Sequence, residues 1–280
     1  MQLRKVTAAS AAVLALALTA TACGSDDKDD SAGSGGGKKI TIGIKIDQPG
    51  IGLKTPDGKY TGFDVDVATY VAKELGYDAK NIEFKETKSA DRETAIERGD
   101  VKFIAASYSI NDERLQKVDF AGPYLLAHQD ILVRADDSTI KSPEDLNNKK
   151  LCSVTGSTSA KNVKEKLAPK AQLQEFGGYS ECLTGLENKV VDALTTDDSI
   201  LAGYASQDAH KGKFKLAGFK MTNENYGIGL KKGDADLKKK INDALTKMVS
   251  DGSWEKAVKA NFGPAGYKNE AAPKIGNVVK

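Results

Sequence analysis

The sequence predicts a mixed α/β protein built from two similar units. Strand-length apolar runs alternate with stretches of helical period over most of the chain, the pattern of a parallel or mixed sheet with helices packed on it. A faint internal repeat supports the reading. T-A-I-E-R-G-D-V-K-F-I-A-A-S at 94–107 lies without a gap on T-G-L-E-N-K-V-V-D-A-L-T-T-D at 184–197, each a helix end feeding a short strand. Ser107 then falls opposite Asp197, both at a strand's carboxyl end, where open α/β sheets bind ligands.

In chain order, Ile40, Ile42, Ile44 and Ile46 alternate with Thr41, Gly43 and Lys45, a period of two that marks a strand. Pro56-Asp57-Gly58 is a turn. Residues 64–75 place Val67, Ala68, Val71, Ala72 and Leu75 on one helical stripe, and Gly76 ends it. A short strand over 82–84 follows, then a helix over 89–98 with Ser89 as cap, and a strand over 101–106. The second unit reads as a strand at 151–154, a helix over 157–167, strands at 173–176 and 190–194, and a helix over 200–205. Late strands are expected at 214–216 and 226–230. Residues 235–249 form a long helix with Leu237, Ile241, Leu245 and Met248 inward, and 254–262 a last one. The tail after Tyr267 is expected to be poorly ordered.

The N-terminus reads as a targeting signal. Arg4 and Lys5 precede a short apolar run over 6–22 whose small residues fit a cleaved signal better than a membrane span. A-T-A-Cys23-Gly24 resembles a lipobox, in which Cys23 would carry lipid and become the new N-terminus; ordinary secretion is the alternative. Residues 24–38, with no apolar side chain larger than alanine, form a tether. The expectation is an exported protein, anchored by lipid to the outer face of the cytoplasmic membrane. Cys152 and Cys182 remain as an even pair in an exported chain. A disulfide is expected and two buried free thiols are the alternative. With 41 basic and 39 acidic residues, losing Arg4 and Lys5 leaves 39 against 39, which argues against nucleic-acid binding. No metal site is expected: His128 and His210 lie far in sequence from both cysteines.

The segment I-A-A-S-Y-S-I-N-D-E-R at 104–114 carries the most chemistry. It runs from a strand into two hydroxyl residues and then a helix capped by Asn111, with Arg114 in its first turn. Ser107, Ser109 and Arg114 can converge on one small carboxylate, and no nucleophile–base pair accompanies them.

G-F-D-V-D-V at 62–67, S-Y-S-I-N-D-E-R at 107–114, V-D-F-A-G-P-Y at 118–124 and T-G-S-T-S at 155–159 together resemble the polar amino-acid-binding proteins of ABC importers, solute-binding family 3. The resemblance implies a type II periplasmic-binding-protein-like fold: two lobes, two crossovers and a ligand cleft between the lobes. Residues 39–131 and 226–280 would form lobe I, and 132–225 lobe II. It implies that Arg114 grips the ligand α-carboxylate, helped by Ser109, Ser157 and Thr158, and that Ser107 and Asp197 take the α-ammonium. Lys45 and Arg92 lie where the glutamate/aspartate branch has basic residues, which implies a second carboxylate on the ligand. Relatives place aromatic rings near the loop 47–50. Here the loop is D-Q-P-G, and Gln48 is a candidate replacement contact. The expected function is an import receptor for L-glutamate, or for aspartate or glutamine, acting as a monomer without cofactor and delivering its ligand to a membrane permease. A dehydratase-type enzyme and a sensory module on the same fold are the competing readings.

Overall fold

The computed structural model describes residues 37–279. The expected signal, Cys23 and nearly all of the tether lie outside them. Among the described residues, no helix is long and apolar enough to cross a membrane.

Two βαβαβ units stand one after the other. The first holds β1 (Ile40–Ile44), a small side sheet of β2 (Asp47–Gln48), β3 (Gly52–Lys54) and β4 (Tyr60–Thr61), then α1 (Phe63–Glu74), β5 (Ile82–Glu86), α2 (Arg92–Glu97) and β6 (Phe103–Ile104). After α3 (Asp112–Leu115), the long strand β7 (Val118–Arg134) leads out of it. The second holds β8 (Lys150–Val154), α4 (Thr158–Asn162), β9 (Gln172–Phe176), α5 (Tyr179–Glu187), β10 (Ala193–Asp197), α6 (Asp198–Ser206) and β11 (Phe214–Leu216). The chain returns through β12 (Asn223–Lys231) and closes with α7 (Ala235–Ser250) and α8 (Ser253–Phe262).

β1 is parallel to β5 and β6, and β8 is parallel to β9 and β10. Both helices of the internal repeat end where the repeat places them, at Glu97 and Glu187, and both strands run toward Ser107 and Asp197. β7 joins the halves. It pairs with β12 through His128, and with β10 from Gln129 onward. β7 and β12 are therefore the two crossovers of a two-lobed α/β fold.

The core of the first half is ordered by the residues the periodicity marked. Ile40, Ile42 and Ile44 are buried, and the Phe63 ring packs on Trp254 at 6.0 Å and Phe262 at 5.2 Å. Leu237, Ile241, Leu245 and Met248 of α7 are buried as the helical stripe requires; each such side chain contributes about 1.5–3 kcal/mol. In the second half, Cys152 and Cys182 form a disulfide with a Cα–Cα separation of 5.5 Å, which ties β8 to α5.

Four expectations change. The strand expected at 190–194 is Ala193–Asp197: Val190 N–H bonds Gly185 O in the turn that ends α5, and Val190 is left 53% exposed. The helix expected from Ser89 begins at Arg92, after a 3₁₀ turn over Ser89–Asp91, because the Ser89 hydroxyl accepts a bond from Lys45 Nζ at 2.9 Å and does not cap. The helix expected over 157–167 is α only through Asn162 and continues as a π turn over Val163–Leu167. The tail after Tyr267 docks. Glu270 Oε1 meets His128 Nε2 at 3.2 Å, Gly276 N–H bonds Gly122 O at 2.8 Å, and Val279 exchanges two hydrogen bonds with the Asn225 side chain.

Candidate functional site

The site grows from Ser107, which follows β6. Its φ of 43° is a left-handed conformation, costly for a residue with a Cβ and held only by strong partners. Those partners are present. Asp64 Oδ2 accepts the Ser107 N–H at 2.7 Å, and Arg92 Nη1 donates to the Ser107 carbonyl at 3.2 Å. Asp64 opens α1, is fully buried and also accepts the Tyr124 hydroxyl at 2.7 Å. Burial raises its carboxyl to about 6 against those bonds. The Ser107 hydroxyl donates to Gln48 Oε1 at 3.1 Å.

Arg114 sits as the spacing demanded. Asn111 caps α3 by accepting the Arg114 N–H at 2.9 Å, which sets the side chain toward the other half. Its guanidinium donates to Ser109 O at 2.7 Å and to Gly156 O at 3.0 Å, and it lies 5.0 Å from the Tyr108 ring. Gly156 belongs to the T-G-S-T-S turn of the second half, so one arginine spans both halves. Next to it, Ser157 caps α4 by accepting the Ala160 N–H at 3.1 Å, and its own N–H goes to Val154 O. The Thr158 hydroxyl donates to Glu224 Oε2 at 2.9 Å. The Ser157 hydroxyl and N–H are thus engaged in its own turn, and the Thr158 hydroxyl is engaged with Glu224.

Asp197 closes the anionic side at the end of β10. Its Oδ2 accepts the Tyr226 hydroxyl at 2.5 Å, while its buried Oδ1 has no partner among the described residues. Burial, then the nearby Glu224 charge, raise its carboxyl well above the usual range. An ammonium group placed there would supply the missing donor and charge.

Lys45 and Arg92 form the cationic side. Lys45 is 4% exposed and Arg92 2%. Lys45 Nζ donates to Ser89 Oγ, and Arg92 Nε donates to Ser89 O at 3.3 Å, so the two meet at one serine. Arg92 also stacks 4.1 Å from the centre of the Tyr108 ring. Burial and then the Arg92 charge pull the Lys45 ammonium down to about 7, and burial and then Arg114 pull Arg92 to about 10. These cations depress one another, a state that a bound anion would relieve.

The ligand-site candidates Lys45, Arg92, Ser107, Ser109, Arg114, Ser157, Thr158 and Asp197 thus lie near one another, where the two halves meet. Sequence reasoning assigned no role to Asp64, Tyr108, Glu224 or Tyr226. Asp64 lay inside the quoted G-F-D-V-D-V motif and was legible as a polar residue opening a helix. Glu224 and Tyr226 gave no signal, because the return crossover reads as an ordinary strand.

Residues 40–264 match the bacterial extracellular solute-binding proteins, family 3. The glutamate-binding protein GluB of Corynebacterium efficiens is 48% identical over 94% of this chain and 92% of its own. The glutamine-binding protein GlnH of Bacillus subtilis is 42% identical, with 79% of this chain and 80% of its own covered. Among solved structures, an ancestral arginine-binding protein bound to arginine superposes with a TM-score of 0.75 at 35% identity, covering 80% of this chain and 98% of that one. With the two-lobed architecture and a polar cleft bridged by Arg114, these likenesses place the chain: it belongs to the extracellular solute-binding proteins of family 3, an amino-acid-binding receptor.

Proposed function

We propose that the protein captures L-glutamate outside the membrane and hands it to an ABC permease. In this reading Arg114 and Thr158 hold the α-carboxylate and Ser109 adds a donor, while Asp197 and Ser107 hold the α-ammonium. Residues 39–131 with 226–280 and residues 132–225 act as the two lobes. The ligand contacts both, so binding favours the closed arrangement and shifts the population toward it.

The observation that carries glutamate is the burial of Lys45 beside Arg92 with no carboxylate bonded to either among the described residues. A ligand with a distal carboxylate neutralises that end, and a distal amide does not. Leaving the charge unmatched costs about 1–3 kcal/mol, or about five- to 150-fold in affinity. The likeness to GlnH is the observation favouring glutamine, and one experiment separates the readings. Calorimetric titration with glutamate, aspartate and glutamine is expected to rank glutamate first, and Arg114→Ala to abolish binding of all three. Glutamine binding more tightly than glutamate would end the glutamate reading and leave the amino-acid receptor standing. Intact affinity in Arg114→Ala would overturn the head-group assignment.

A further inference from the structure

We propose that Gln48 is a specificity-determining residue of this receptor, its carboxamide N–H₂ donating to the distal carboxylate of the bound amino acid. The inference rests on the glutamate reading and adds a residue to it.

Gln48 ends β2 and is fully buried. Its backbone is engaged: the carbonyl accepts the Ile51 N–H at 3.1 Å. Its side chain is half engaged. Oε1 accepts the Ser107 hydroxyl, and Nε2, equally buried, has no acceptor among the described residues. An amide N–H₂ held out of water without an acceptor is costly, so such groups are paired or await a ligand. Asp197 Oδ1 in the same cleft lacks a donor among the described residues. The two orphans are of opposite kind, and an amino acid carrying both an ammonium and a carboxylate satisfies both.

The bonding pattern says which carboxylate faces Gln48. Ser107 is held from two sides, its hydroxyl by Gln48 and its carbonyl by Arg92. Arg114 is engaged elsewhere, with Ser109 O and Gly156 O. Gln48 therefore belongs to the Arg92 end of the cleft, where the distal group lies, and not to the Arg114 end.

The test uses Gln48→Met, which keeps length and removes both poles, and Gln48→Glu, which keeps shape and adds a negative charge. Each is titrated with glutamate and with norvaline, whose stem is the same length but ends in a methyl. Gln48→Met is expected to weaken glutamate ten- to hundredfold and norvaline less than threefold, and Gln48→Glu to weaken glutamate further. Circular dichroism melts confirm that both variants fold. Glutamate affinity within twofold of wild type in Gln48→Met overturns the proposal, as does an equal loss for both ligands, which would confine Gln48 to the head group. If wild type itself fails to bind glutamate, the glutamate reading fails first and this assignment with it. Wild-type binding with an unaffected variant sinks the Gln48 assignment alone.

Discussion

Lys45 shows how much of a residue's chemistry is set by where the fold puts it. In water its ammonium titrates near 10.5, and here burial and Arg92 bring it to about 7. The folded-state value is depressed relative to the unfolded one, so the unfolded chain binds the extra proton between those values. The ligand-free protein therefore gains stability from this group as pH rises from about 7 toward 10.5. Glutamate reverses the bias, because a carboxylate beside the lysine favours its charged form. Binding above pH 7 is then expected to take up a proton, and glutamate affinity to fall by up to about tenfold per pH unit as the lysine neutralises. Titrations in buffers of different ionisation enthalpy measure the uptake. Asp197 acts in the opposite sense, since a ligand ammonium lowers its raised carboxyl. The difference between wild type and Lys45→Met therefore isolates the lysine, and equal proton uptake in both would remove Lys45 from the site. The sequence supplied Lys45 and Arg92 as basic residues, but not their burial. A lysine one residue past a strand reads the same whether solvated or enclosed.

At the scale of elements, α6 and the loop after β2 form a seam between the halves. Gly203 lies mid-helix, and a Cβ there would stand 2.0 Å from the Pro49 carbonyl oxygen, nearer than any real contact. The Tyr204 hydroxyl donates to Asp47 O at 2.5 Å beside it, and the Ser180 N–H bonds Asp47 Oδ2 at 3.3 Å at the start of α5. Alanine at 203 suits an isolated helix better than glycine by about 1 kcal/mol, so the opened receptor of the reading proposed above would tolerate it. Gly203→Ala is thus expected to leave the ligand-free melting temperature unchanged or higher while weakening glutamate at least tenfold. A variant that binds at wild-type affinity would show that this seam does not close in the bound state. The helix itself was legible from its apolar content. Its glycine was not, because the reason for it lies 154 residues away in sequence, at Pro49.

At the scale of the molecule, the C-terminal tail straps the crossovers. It reaches Gly122 and His128 on β7, Asn225 on β12, Lys220 beyond β11 and, through the Tyr267 hydroxyl, Asp198 on α6 at 2.8 Å. At about 1 kcal/mol for each buried or partly buried hydrogen bond, the strap contributes a few kcal/mol. Deleting residues 268–280 is expected to lower the melting temperature by about 4–10 °C. An unchanged melt would make the strap energetically silent. Composition misled here: N-E-A-A-P-K-I-G-N has few apolar residues and reads as a loose end. It is ordered by backbone and side-chain hydrogen bonds to a surface assembled from elements far away in the chain.

The sequence by itself determined the α/β alternation, the duplicated helix–strand joint that sets Ser107 opposite Asp197, the capped first turn that carries Arg114, and the Cys152–Cys182 pair. Each follows from local periodicity, from the chemistry of a cap, or from residue counting. The tertiary structure decided the left-handed Ser107 and its ties to Asp64, Arg92 and Gln48. It also decided the burial that lowers Lys45 and raises Asp197, the glycine seam and the docked tail. All of these depend on which distant groups share a dry space, and burial and long-range pairing are properties of the assembled chain that no local window of sequence contains.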